Sequence, residues 1–192
     1  MEKLDTVLEE GRSLPPQSYP TKKTSKPSRG IPLGREGDTF ESFDLKKAPE
    51  MQEAYDQCQQ VSRRQAWCAF LLGPTGNGKT HLAIAALQAS DRGMFWKVPD
   101  FLAFLRSRID VGDVDQVVGE YQESAPLLVL DDLGVEKQTE WAFEQLYRIL
   151  DRRCDAKLPT IITSNQDRED IDGRLRSRFR VGYVACAGKD QR

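Results

Sequence analysis

The run GPTGNGKT, Gly73 to Thr80, gathers glycines, a lysine and a threonine hydroxyl at the spacing G-x-x-x-x-G-K-[ST] of a phosphate-holding loop. Gly73, Gly76 and Gly78 can take backbone angles that other residues resist, so successive N–H groups can turn toward an anion. Lys79 can place a point charge between β- and γ-phosphates, and the Thr80 hydroxyl can ligate magnesium. Pro74, Thr75, Asn77 and His81 complete the predicted nucleotide-binding set. His81 is the only histidine, and without a second ligand nearby it is not read as a metal site. The run LLVLDDLG sets Asp131 and Asp132 at the end of an apolar stretch. Asp131 can hold magnesium through water, and Asp132 can polarise an attacking water. Asn165, closing TIITSNQ, is an amide able to position that water and sense the γ-phosphate. The catalytic set read from these residues is Lys79, Asp132 and Asn165; a further concentration of charge stands in GRLRSRFR, Gly173 to Arg180, where Arg174, Arg176, Arg178 and Arg180 recur at every second position, suited to solvent, to nucleic-acid phosphate or to the phosphate of a nucleotide held elsewhere.

These groups need elements that hold them. WCAFLL, GMFWKV, PLLVL and PTIITS read as short buried strands, with VGYVACA as a fifth. Between them lie helical stretches: THLAIAALQA, DFLAFLRSRI, DVDQVVGEYQES and TEWAFEQLYRILDRRCD, the last with Phe143, Leu146, Tyr147 and Leu150 along one face. Alternating helices and apolar strands predict a parallel sheet covered on both faces. The phosphate loop follows one strand and opens a helix, Asp131 ends another strand, and ligands lie at that end of such a sheet. If IDGRLRSRF is helical, Arg174 and Arg178 share one face and Arg176 and Arg180 another; no role follows for Arg176 or Arg180.

The 192 residues are 39% hydrophobic and 30% charged, with a net charge of −2, as for a globular chain that is not a basic nucleic-acid binder overall. There is no long apolar run and the N-terminus is charged, so a cytoplasmic location is expected. Cys58, Cys68, Cys154 and Cys186 are scattered without a CxxC pair, which argues against a zinc module or a disulfide framework. Residues 12–35, rich in Pro, Ser and Lys, read as a linker that buries too little to order itself. Before it, Met1, Leu4, Val7 and Leu8 stand at helical spacing, a short docking helix at most. The expected division is a flexible tail over residues 1–38 and one folded domain over 39–192.

In order, GPTGNGKTHLA, LLVLDDLG, TIITSN and GRLRSRFR resemble the AAA+ ATPases of the DnaC/DnaI helicase-loader and IstB group, relatives of the initiator DnaA. TFESFDL resembles that group's entry segment, usually near the adenine. The resemblance runs from about Thr39 to Phe179. It implies an α/β AAA+ P-loop NTPase, a three-layer sandwich with a parallel five-stranded sheet, using ATP and Mg2+. Since the chain stops soon after VGYVACA, no separate C-terminal lid domain is expected, and nucleotide affinity should be modest. Matched to the group's R-L-x-S-R-F motif, Arg178 is the finger that reaches a neighbouring subunit's γ-phosphate, and Arg174 is its interface supporter. Many such ATPases carry glutamate where Asp132 stands; the shorter side chain predicts slow hydrolysis.

The resemblance further implies an ATP-dependent loader that binds a replicative helicase hexamer through its N-terminal tail, binds single-stranded DNA, and assembles into a nucleotide-dependent oligomer. For DNA the candidates are Lys97, Arg106 and Arg108, with Phe101 and Phe104 for stacking, although Asp100, Asp110, Asp113 and Asp115 dilute the charge and phenylalanines so placed are more often core. An IstB-like transposition helper shares every motif. A nucleotide-binding regulator of a replication initiator, with hydrolysis incidental, is the alternative from another class. A small-molecule kinase would leave RLRSRF unexplained.

Overall fold

The computed structural model describes residues 29–123, 126–134 and 139–188. Five strands form one parallel sheet: β1 (Cys68–Leu72), β2 (Met94–Lys97), β3 (Leu128–Leu133), β4 (Thr160–Ser164) and β5 (Tyr183–Ala185), in the order β2-β3-β4-β1-β5. Every residue of β1 and β4 is buried, as continuous apolar runs in central parallel strands require. Helices cover both faces, giving the expected three layers. On one side α1 (Gln52–Ser62) and α2 (Lys79–Ala89) pack with Ala69, Leu71, Phe95, Val129 and Ile161. On the other, α3 (Val98–Ser107), α4 (Val114–Glu123), α5 (Glu140–Asp155) and α6 (Gly173–Arg178) pack with Phe70, Leu72, Leu128, Leu130 and Ile162.

The helices reflect their surroundings. Leu82 through Leu87 of α2 are all buried between α1 and the sheet, so this helix has no polar face. By contrast, α5 is amphipathic and starts on Thr139, whose hydroxyl accepts from Ala142 N at 3.2 Å. Ile109, the last residue of the stretch DFLAFLRSRI that reads as helical, lies past the helix end, exposed, because the helix stops at Ser107. Arg180 likewise falls outside α6, in a 3-10 turn over Arg180–Gly182.

Residues 29–38, assigned from the sequence to the tail, pack against the domain. Arg29 donates to the carbonyls of Leu87, Ser90 and Asp91 at 2.5, 2.7 and 2.5 Å, satisfying groups at the end of α2. Its own carbonyl accepts from Phe95 N at 2.8 Å, along the edge of β2. Gly30 has φ +75° there, and a Cβ would lie 2.3 Å from the Phe95 carbonyl oxygen. Composition could not reveal this, because one cation and one glycine carry the anchoring. The docking helix over Met1–Leu8 and the linker up to residue 28 lie outside the described residues.

Candidate nucleotide and magnesium site

The C-terminal tips of β1, β3 and β4 open into a cleft of about 870 Å³, lined by residues 75–81 together with Lys97, Asp131, Asp132 and Asn165. From the other side come Pro32, Arg35, Ser42, Phe43, Asp44 and Lys47. Gly73 has φ +150°, and a Cβ would lie 2.0 Å from the Cys186 carbonyl oxygen. Gly78 caps α2 with φ +97°, its α-carbon against the Phe43 ring. The glycines are therefore required by backbone angle and by close approach. The buried Asn77 ties the loop to the chain after β5, donating through Nδ2 to the Cys186 carbonyl at 2.9 Å. Its Oδ1 accepts from Lys79 Nζ at 3.1 Å, while Lys79 also donates to the carbonyls of Gly73 and Pro74 at 2.7 and 2.6 Å. Burial draws the Lys79 ammonium below the usual lysine range, and Cys186, Asp132 and Asp131 work against that.

The acidic half is built by an irregularity in β3. Leu130 pairs with Ile162 and Leu133 with Ser164, so Asp131 and Asp132 together stand opposite Thr163 alone. Asp132 takes φ +62°, a left-handed angle that aspartate tolerates better than most side chains. In a regular strand neighbouring carboxylates would face opposite ways; the extra residue turns both to the cleft. Thr163 pins the arrangement: its hydroxyl donates to Asp131 Oδ1 at 2.7 Å and accepts from Asp132 N at 3.0 Å. Thr80 Oγ1 donates to the same Asp131 oxygen at 2.9 Å. Burial pushes the Asp131 carboxyl up; the Thr163 and Thr80 hydrogen bonds and, more weakly, the charge of Lys97 pull it down. Asn165 Nδ2 reaches Asp132 Oδ1 at 3.4 Å.

The donor set fits magnesium and a polyphosphate. Hard oxygens of Thr80 and Asp131 converge at the N-terminus of α2, beneath a loop whose glycines leave backbone N–H groups open to an anion. The structure thus brings together Lys79, Thr80, Asp131, Asp132 and Asn165. His81 does more than line the cleft. Its Nε2 donates to the Thr39 carbonyl at 2.9 Å and lies 3.1 Å from Ser42 Oγ, and its ring stands edge-on to Phe43, so it pins the entry segment to α2.

Other predicted residues lie elsewhere. Arg174 and Arg178, on α6, do not line the cleft. Arg178 pairs with Asp151 at 2.7 Å and Asp155 at 3.0 Å on α5, and its pKa is raised, first by hydrogen bonding with Tyr147. Arg174 pairs with Asp172 at 3.2 Å and lies 4.2 Å from the Phe143 ring centre. The three DNA candidates are dispersed: Lys97 lines the nucleotide cleft, Arg106 lies over Trp141, and Arg108 is bound to Asp113. Phe101 is fully buried, and Phe104 stacks on Trp96, so neither ring stands free. The places of Thr163, Pro32 and Arg35 at the site were not foreseen; for Thr163 the signal was a hydroxyl directly after the apolar pair Ile161 and Ile162.

Fold and site together define an AAA+ ATP-binding protein. The chain belongs to the IstB-like ATP binding protein family, whose model matches residues 22–176. It falls in the group that joins IstB with the DnaC and DnaI loaders and DnaA. It is 31% identical over 140 residues to the Insertion sequence IS21 putative ATP-binding protein of Pseudomonas aeruginosa, covering 67% of this chain and 50% of that one. It is 28% identical over 107 residues to the Replicative helicase loader DnaI of Bacillus subtilis, covering 53% and 34%. To the Chromosomal replication initiator protein DnaA of Campylobacter jejuni subsp. jejuni it is 27% identical over 159 residues, covering 77% and 36%. The chain thus spans between about a third and a half of these relatives' lengths. Among solved structures it resembles the DnaC helicase loader, with TM-score 0.68, 24% identity and coverage of 81% of this chain and 98% of that one. It also resembles DnaA bound to AMPPCP and single-stranded DNA, with TM-score 0.70, 23% identity and coverage of 80% and 51%. Among the described residues, no helix is long and apolar enough to cross a membrane.

Proposed function

We propose that this chain is an ATP-hydrolysing loader of a replicative DNA helicase, acting in the cytoplasm. The observation that carries the ATPase reading is the meeting of Thr80 and Asp131 at 2.9 Å beneath the glycine loop, with Lys79 beside them. Thr80 and Asp131 would hold Mg2+, which, when bound, neutralises phosphate charge and orients the γ-phosphoryl group. Lys79 leaves its loop carbonyls to meet the β- and γ-phosphates. Asp132 orients the water that attacks the γ-phosphorus, and Asn165, already within reach of Asp132, fixes that geometry. Arg178 of one copy completes the cleft of the next. Its guanidinium stays charged at any working pH, and such a finger raises turnover by about 10³–10⁵-fold where it acts. Nucleotide thereby joins the subunits, single-stranded DNA engages the assembled ATPase domains, and residues 1–28 dock the helicase. The DnaI relative supports the loader reading.

The short reach of Asp132 makes the isolated protein slow, with DNA or assembly raising its rate. Lys79→Ala is expected to lose ATP binding and hydrolysis while keeping its melting temperature within a few degrees; unchanged nucleotide binding in that variant overturns the ATPase reading. Nucleotide-dependent capture of a helicase hexamer and its transfer to single-stranded DNA test the loader reading, and capture of a transposase instead removes it. That second reading, a transposition helper, is favoured by the 31% identity to the IS21 protein.

A further inference from the structure

We propose that Lys97 reads the third phosphate of the bound nucleotide, making the cleft prefer a nucleoside triphosphate to a diphosphate. The proposal rests on the nucleotide-site reading above. Side chains alternate along β2: Phe95 packs in the core on the α2 side, and Trp96 packs on the opposite side. Lys97 therefore returns to the α2 side. It is the register partner of Asp131, whose carboxylate receives the Thr80 hydroxyl on that same side, and it lines the cleft.

The other cleft cations are engaged. Arg35 is paired with Asp38 at 2.5 Å and Lys47 with Asp44 at 3.5 Å. Lys79 is held by two carbonyls and Asn77. Among the described residues the Lys97 side chain makes no hydrogen bond or ion pair. A flexible ammonium is thus kept ready at the mouth of a site that already concentrates the charges of Asp131 and Asp132. The glycine loop forms the inner end of the cleft, where both nucleotides would present the same phosphates, and Lys79 would span from there toward the third. The additional phosphoryl group of a triphosphate would have Asp131, Asp132 and Asn165, at the tips of β3 and β4, as its lining. There it adds negative charge beside two carboxylates, and Lys97, one strand over from Asp131, is placed to offset it. An exposed lysine engaged this way loses nothing when a diphosphate is bound, so its contribution falls on one nucleotide only. Because α3 begins at Val98, a shift of Lys97 toward phosphate also pulls on the first turn of that helix.

The test is equilibrium binding of a non-hydrolysable ATP analogue and of ADP, with magnesium, to the full chain and to its Lys97→Met and Lys97→Arg variants. Lys97→Met is expected to weaken the triphosphate analogue about tenfold and ADP by less than about twofold, and Lys97→Arg to retain most of the preference. Equal changes for both nucleotides, or none, overturn the proposal. So does a loss confined to single-stranded DNA binding, which returns Lys97 to a DNA-contacting role. Lys79→Ala is run alongside: if it binds both nucleotides like the unaltered chain, the nucleotide-site reading fails, whereas a normal Lys79 dependence with no Lys97 effect removes only Lys97.

Discussion

At the scale of single residues, the site hangs on Thr163. Its buried hydroxyl holds the Asp131 carboxylate and the Asp132 N–H at once, so it stabilises both the bulge and the aim of the two acids. Thr163→Val conserves shape but strands a backbone donor and removes one of the two hydrogen bonds on Asp131. An unmet buried polar group costs about 1–3 kcal/mol, or roughly 2–4 °C in melting temperature per kcal/mol for a chain of this size. We therefore expect Thr163→Val to melt several degrees lower and to lose magnesium-dependent nucleotide affinity more than magnesium-free affinity; calorimetry and binding titrations with and without EDTA measure this. An unchanged magnesium dependence would mean that Asp131 is aimed without it. That Lys79, Thr80 and Asp131 would meet was legible in the sequence because they stand in two eight-residue runs, each at the end of an apolar strand. Thr163 was not, since its role exists only across a strand pair whose register slips by one residue. The place of Lys97 at the cleft was hidden for the same reason: strand parity and order, which set its neighbours, emerge only when β2 lies beside β3.

At the scale of elements, α5 and α6 set the state of Arg178, the proposed arginine finger. Asp151 and Asp155 are four residues apart, so they sit on one face of α5 and together clasp Arg178. If Arg178 acts as the proposed finger, it is stored on its own subunit and has to leave this clasp to reach a neighbour. Arg178→Ala should bind ATP normally but lose DNA-stimulated hydrolysis and nucleotide-dependent assembly. Asp155→Asn loosens the clasp without touching the arginine, and it should lower the protein concentration needed for assembly in sedimentation experiments. Wild-type hydrolysis in Arg178→Ala removes the finger assignment; an unshifted assembly midpoint in Asp155→Asn removes the clasp. The five strands and their helical cover were legible because parallel strands buried on both faces are written as unbroken apolar runs. Helix ends were less so: Ile109 continues the apolar period of α3, yet a period cannot say where backbone hydrogen bonding stops.

At the scale of the whole molecule, the boundary between tail and domain decides which deletions are informative. Arg29 caps the end of α2, its carbonyl covers the β2 edge, and Gln88 Nε2 donates to the carbonyls of Glu36 and Asp38 at 3.0 and 2.9 Å. Pro32 and Arg35 also line the nucleotide cleft. Removing residues 1–38 therefore strips an edge cover, a helix cap and one wall of the site along with any docking peptide. Removing only residues 1–28 leaves these contacts in place. The longer deletion is expected to melt several degrees below the shorter one and to bind nucleotide more weakly, as read by thermal unfolding and by titration. If residues 1–28 dock the helicase, the shorter deletion loses helicase capture while keeping nucleotide binding and ATP hydrolysis. Equal melting temperatures for the two deletions would show that the 29–38 contacts add nothing to the fold. Retained helicase capture after the shorter deletion would move the docking surface onto the ATPase domain itself.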